Sequence, residues 1–278
     1  MRACVLFQSL DEFKRKGIAM GILEGKRGLI VGIANDRSIA SGITESVLAQ
    51  GGECIFTHLP GEKMERRIRM SLEELGVKNP WVMPMDAGSD EQLDQVFAKI
   101  QSDFGKLDFL VHCIAYADKD WLKIGAFTAT PRKVFTQAMD LSAYTYQAMA
   151  HRAAPLMTDG GSMMALSYYG AEKAVPAYNV MGVAKAALEA TNRYLAMELG
   201  EKNIRCNVIS AGPVKTLSAM AVGGFGQILE WVEKKAPLKR NITTKDVGDT
   251  AAWLLSGMSS GVTGQTIYVD CGYSMMGL

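Results

Sequence analysis

The stretch Gly28-Leu29-Ile30-Val31-Gly32-Ile33-Ala34-Asn35-Asp36-Arg37-Ser38-Ile39-Ala40 decides the fold. It opens as a short, continuously apolar run, the pattern of a strand covered on both faces, as in a parallel sheet. A glycine turn then leads into a helical pattern starting at Ile39. Small residues at such a turn let a backbone approach a phosphate, and the helix N-terminus offers unpaired amides and a favourable dipole. The run lacks the G-x-G-x-x-G spacing, so taken alone it describes an ordinary strand-to-helix turn equally well.

Outward from this unit the alternation continues. Residues 28–33, 53–59, 81–86, 109–116, 162–168, 205–210 and 266–270 are expected strands, and 39–50, 62–75, 91–104, 131–156, 177–199 and 245–255 expected helices. Thr130-Pro131 reads as N-cap and first helical residue, and Thr244 as a further cap. Seven strands with intervening helices predict an α/β fold: a Rossmann-type doubly wound parallel sheet with helices on both faces, in one domain over residues 20–278. Residues 1–19 form an extension, either a disordered tail or a segment ahead of a natural start at Met20. The glycine-punctuated segment 211–240 is expected to be a substrate-binding lid.

Composition excludes several functions. The 278 residues include 30 basic and 29 acidic side chains, for a net charge of +1. That leaves no broad positive field for nucleic acid. The apolar run 3–7 is too short for a secretory signal, and no membrane partner is expected. Five scattered cysteines without C-x-x-C spacing indicate reduced thiols and a cytoplasmic protein. His58, His112 and His151 show no ligand spacing, so a metal is not needed.

The densest chemical signal is Ser167-Tyr168-Tyr169-Gly170-Ala171-Glu172-Lys173-Ala174-Val175-Pro176-Ala177-Tyr178-Asn179-Val180-Met181-Gly182-Val183-Ala184-Lys185. On an α-helix, Tyr178 and Lys185 return almost to one face after two turns, about 10 Å apart along the axis. A nearby ammonium favours phenolate, which would help the tyrosine give its proton to a developing oxyanion. Asp86 ends the third strand where an adenine could be gripped, or is a plain turn residue there. At the second strand's tip, His58-Leu59-Pro60-Gly61 offers no arginine or lysine for a 2′-phosphate, which favours NAD over NADP.

These motifs, with Ser210-Ala211-Gly212-Pro213-Val214-Lys215-Thr216, resemble bacterial NADH-dependent enoyl-acyl carrier protein reductases of the short-chain dehydrogenase/reductase superfamily. The likeness spans about residues 20–278. It implies that Tyr178 is the donor at the oxyanion, Lys185 holds the nicotinamide ribose, and Tyr168 is the second active-site tyrosine. It also implies Gly32, Ser38 and Ile39 at the pyrophosphate, Asp86 and Ala87 at the adenine, and Ile114 near the adenosine. Val214 would meet the carboxamide and Thr216 the phosphates. The substrate side would comprise Ala117, Tyr168, Tyr178, Met181, Met220 and Phe225, with Val222 and Ile228 as further candidates for the acyl slot.

Carbonyl reductases of the superfamily carry Tyr-x3-Lys, whereas the residue four before Lys185 is Met181. Moving the hydroxyl about one turn, three residues or about 4.5 Å along the axis, suits an acid that must follow the oxygen of an enoyl thioester. The resemblance therefore implies NADH-dependent reduction of trans-2-enoyl thioesters on acyl carrier protein, the last reductive step of fatty-acid elongation, by a homotetramer. The alternatives are a 3-oxoacyl or hydroxysteroid-type carbonyl reductase and a non-catalytic nicotinamide sensor. Two departures from the family pattern stand out. Cys113-Ile114-Ala115 replaces Ser-Ile-Gly, and residues 218–229 carry no lysine or arginine. Carrier recognition would then shift to Lys234, Lys235, Lys239 and Arg240, unless these are an ordinary solvated face.

Overall fold

The structure, a computed structural model, describes residues 21–216, 219–221 and 224–277; the expected 1–19 extension lies outside them. All seven expected strands form: β1 (Arg27–Val31), β2 (Glu53–His58), β3 (Val82–Pro84), β4 (Phe109–His112), β5 (Gly161–Ser167), β6 (Ile204–Ala211) and β7 (Thr266–Val269). They make one parallel sheet in the order β3-β2-β1-β4-β5-β6-β7. The order reverses between β1 and β4, and a ligand crevice opens outside the carboxyl ends of the strands at such a switch point.

The helices are α1 (Ile39–Ala49), α2 (Glu62–Glu74), α3 (Asp90–Phe104), α4 (Arg132–Met139), α5 (Thr145–Ala153), α6 (Asn179–Leu199), α7 (Phe225–Lys235) and α8 (Thr244–Leu255). Alternation along β1 sorts them into two layers. Leu29 and Val31 point into a core shared with Leu93 and Ile100 of α3, Met149 of α5 and Leu188 of α6. Ile30 points the other way, among Ile43 and Val47 of α1, Leu72 of α2 and Val247 and Leu255 of α8. Both faces are thus covered, as the unbroken apolar run requires.

The structure corrects the expected boundaries at five places. β3 is an edge strand of three residues ending at Pro84, where a missing N–H costs little. β4 stops at His112, and its continuation peels away along the crevice. The helix expected over 131–156 is interrupted by a π-helical turn, Asp140–Tyr144. There the buried Ser142 hydroxyl accepts from the Tyr116 amide at 2.9 Å and donates to the Tyr116 carbonyl at 3.1 Å, tying the loop after β4 to the bulge. Both caps move by one residue. Pro131 itself is the N-cap of α4. Thr243, not Thr244, caps α8, in a reciprocal box with Asp246.

Candidate active site

At the switch point the chain encloses a cavity of about 570 Å³. Gly32 forms its floor. Its φ is 95°, and a Cβ there would stand 2.4 Å from the Cys113 carbonyl oxygen, so only glycine lets the β1 turn lie against the end of β4. Ser38 caps α1 by accepting from the Ser41 amide. The first intrahelical bonds come from Ser41 and Gly42, so the amides of Ile39 and Ala40 have no intrahelical partner at the cavity wall. An anion-receiving helix end and a glycine floor fit a dinucleotide pyrophosphate.

Of the expected cofactor residues, Gly32, Ser38, Ile39, Lys185, Val214 and Thr216 line this cavity. Asp86, Ala87 and Ile114 lie outside it, beyond the carboxyl ends of β3 and β4. Asp86 organises a turn there, since its Oδ1 accepts from the Gly88 amide at 2.9 Å. Ile114 packs partly against the core on the α3, α5 and α6 side. At the tip of β2, the His58 ring lies 2.8 Å from the Leu59 carbonyl through Nδ1.

On the substrate side, Ala117, Tyr168, Tyr178, Met181, Phe225 and Ile228 line the cavity. Met220 does not: it is 55% exposed and is not among the lining residues. Val222 lies outside the described residues. Phe225 and Ile228 belong to the first turn of α7, a helix the apolar periodicity did not isolate because glycines flank and enter its start.

The structure places Tyr178 differently from its expected position inside a helix. It is the residue just ahead of α6, at φ −76° and ψ −29°. Its ring is located by packing rather than by helical period. It stands edge-on to Tyr168, with centroids 4.8 Å apart and planes at 68°. Gly170 lies under it, and a Cβ there would come within 2.4 Å of the Tyr178 ring. Gly182 in turn leaves room for the Gly170 carbonyl, whose oxygen would stand 2.6 Å from a Cβ at that position. Both glycines sit in the quoted stretch, but nothing in their local sequence announces that they form a seat for a phenol. Gly170→Ala should push the ring aside and lower turnover about tenfold with unchanged NADH affinity, because sub-ångström placement matters at a reacting centre. Stopped-flow hydride transfer would check this.

Lys185 is 5% exposed and donates to the Leu166 carbonyl at 2.6 Å. Burial lowers it to about 8, against the smaller opposing influence of Cys113 and Glu189. Burial likewise raises the Cys113 thiol to about 12, so the cysteine in the cofactor cavity stays protonated and inert. The expectation that the ammonium favours a phenolate is overturned. Burial, and secondarily Tyr168, push Tyr178 up, with no contribution from Lys185. Tyr178 is therefore an O–H donor throughout the neutral range. Tyr168 is also raised, to about 12, chiefly by burial.

The family profile described as enoyl-(acyl carrier protein) reductase matches residues 32–274. The chain belongs to the enoyl-acyl carrier protein reductase family. It is 49% identical over 258 residues to the enoyl-[acyl-carrier-protein] reductase [NADH] FabI of Synechocystis, covering 92% of this chain and 99% of that one. The crystal structure of the Anaplasma phagocytophilum reductase in complex with NAD is similar at TM-score 0.87 and 46% identity, over 94% of this chain and 96% of that one. The Bacillus cereus reductase, crystallised with NADP+ and an indole naphthyridinone, is similar at TM-score 0.90 and 46% identity, over 93% and 100%. Of the four basic residues expected at a shifted carrier surface, Arg240 holds both Asp246 oxygens at 2.9 Å, beside the Thr243 cap of α8. Lys235 stands over the exposed Trp231 ring at 5.0 Å, and Lys239 donates to the Lys234 carbonyl.

Proposed function

We propose that this protein is an NADH-dependent enoyl-acyl carrier protein reductase, saturating the carbon-carbon double bond of trans-2-enoyl thioesters in fatty-acid elongation. The observation that carries this reading is the placement of the Tyr178 hydroxyl and Lys185 on one cavity, with Met181 where a carbonyl reductase would carry its tyrosine. Family membership and relatives named for NADH support the cofactor.

When bound, NADH supplies a hydride to Cβ of the enoyl group. The protein's own residues do the rest. The glycine floor at Gly32 and the amides of Ile39 and Ala40 would hold the diphosphate. Lys185 would donate to the nicotinamide ribose, Val214 would meet the carboxamide, and Thr216 would join the contacts to the phosphates. Negative charge then develops on the thioester oxygen, two carbons from Cβ, and the Tyr178 O–H donates to it. A proton drawn from solvent then adds at Cα as the enolate carbonyl re-forms, which completes the saturated thioester. Tyr168, Met181, Phe225 and Ile228 would exclude water from the acyl chain, and among the described residues of the expected lid Val214, Ala219, Phe225 and Ile228 line the cavity.

The test is to follow NADH absorbance with crotonyl thioester and, separately, with acetoacetyl thioester. Oxidation with the first alone is expected; oxidation with the second alone would favour a carbonyl reductase, and binding without turnover a nicotinamide sensor.

Acyl carrier protein as the substrate's bearer belongs to the same proposal. Lys234, Lys235 and Lys239 beside the exposed Trp231 and Leu238 offer an acidic partner charge and apolar surface at the end of α7. Reversing these three charges should raise KM for carrier-linked substrate about tenfold and leave that for a coenzyme A thioester unchanged. Equal KM values for the parent and the variant would remove this surface from the reading. A homotetramer is proposed on the helices of 131–156, α4 and α5, and on α6, whose Tyr194 and Met197 are 70% and 73% exposed. Among the described residues no helix is long and apolar enough to cross a membrane. A cytoplasmic site of action completes the proposal.

A further inference from the structure

The chain enters α6 through an unusual backbone. Ala177 has φ 65° and Asn179 φ 45°, both left-handed, with Tyr178 between them in the right-handed region. Alanine has no affinity for that conformation, and a left-handed residue at such a point is held only when surrounding contacts over-determine it. Asparagine tolerates it far better.

What holds the turn is the Asn179 side chain. Its amide nitrogen donates to the Trp121 carbonyl at 2.6 Å and to the Lys123 carbonyl at 2.8 Å. Both partners are carbonyl oxygens, so the amide must present its nitrogen to them and both of its hydrogens are used. The two carbonyls bracket Leu122. That side chain is buried against Val180, Met181 and Ala184 and forms a wall of the cavity together with Met181 and Tyr178. The loop it belongs to, after β4, also brings Tyr116, Ala117, Asp118 and Lys119 to the cavity. Its near end is tied at Tyr116 by Ser142, and its far end by Asn179.

We infer that Asn179 is a positioning residue that locks the proton donor and the acyl-slot wall into one unit. Through its backbone it fixes Tyr178, one residue away; through its amide it fixes Leu122. This rests on the reductase reading above. It adds a coupling that neither the tyrosine nor the lysine provides: a disturbance at the loop reaches the phenol through a single side chain. The cofactor floor at Gly32 and the α1 N-terminus take no part in it.

Two variants separate the contributions. Asn179→Gly keeps the left-handed backbone and removes both hydrogen bonds. Asn179→Asp keeps the shape and charges the donor away, setting a carboxylate against two carbonyls. Each should lower kcat/KM for enoyl thioesters by about ten- to a hundredfold, the worth of two hydrogen bonds. NADH affinity should stay within about twofold. The defect should include a rise in KM that is larger for a long-chain than for a crotonyl thioester, since the slot wall is loosened. Hydrogen exchange of residues 115–124 should accelerate in both variants. The inference is overturned by Asn179→Gly with parental kcat/KM, by unchanged exchange in that loop, or by variants that lose NADH affinity and thermal stability together with activity. Failure of the parent protein to oxidise NADH with any enoyl thioester would instead remove the reductase reading, while the exchange result would still decide the tether.

Discussion

Replacing Tyr178 with phenylalanine should lower turnover of an enoyl thioester by about 10²–10³-fold, the usual consequence of removing one preorganised donor from a developing oxyanion. The substitution deletes only the hydroxyl. The ring keeps its edge-on contact with Tyr168 and its seat over Gly170, so thermal stability and NADH affinity should match the parent. Because burial raises Tyr178, it donates as a neutral phenol, and turnover should show no loss of this donor between neutral pH and pH 9. Retention of more than a third of parental turnover would mean that another group meets the oxygen. Tyr168 is then the candidate, and the double variant with Tyr168→Phe would identify it.

The sequence alone contained the whole sheet, because each strand of a doubly covered parallel sheet is an apolar run too short to be a helix. Leu29, Ile30 and Val31 show why: three consecutive apolar residues make sense only when two layers compete for them. What it did not contain was anything set by contact across the chain. The π-helical turn at Asp140–Tyr144 answers to Tyr116, some two dozen residues earlier, and no periodicity within the helix reports that. The seat of Tyr178 depends on Gly170 and on the left-handed Ala177 and Asn179, which a spacing rule for an ideal helix overlooks. The direction of its protonation equilibrium was misjudged for the same reason. Sequence spacing brought a lysine near the phenol but could not weigh that charge against burial. Met220 was placed in the slot by its apolar character, whereas the turn before α7 leaves it at the surface.

Lys185→Met should have two opposite effects, and their combination is diagnostic. The ammonium is 5% exposed and has one carbonyl, that of Leu166, at 2.6 Å. Burial takes it from its ordinary value of 10.5 down to about 8. Between those two values the unfolded chain holds the proton that the folded chain has released. Stability of the cofactor-free protein therefore rises with pH across that window, and below about pH 8 the full penalty of a buried charge is present. Methionine removes the penalty, so the cofactor-free variant should be more stable than the parent at pH 7 by about 1–3 kcal/mol, read as a higher melting temperature. NADH binding should move the other way. Charge-assisted donation to the ribose is worth about 1.5–3 kcal/mol, so the variant's Kd should rise ten- to a hundredfold. In the parent, affinity should also fall as pH rises through about 8, because the donor loses its charge there; in the variant the profile should be flat across that range. A lysine retained for packing alone would give neither the gain in stability nor the pH-dependent Kd. A variant that binds NADH as the parent does, with the same pH profile, would place the ribose contact elsewhere. The cavity holds a residue whose burial the fold tolerates at a cost to its own stability, and a bound dinucleotide is the partner that would offset that cost.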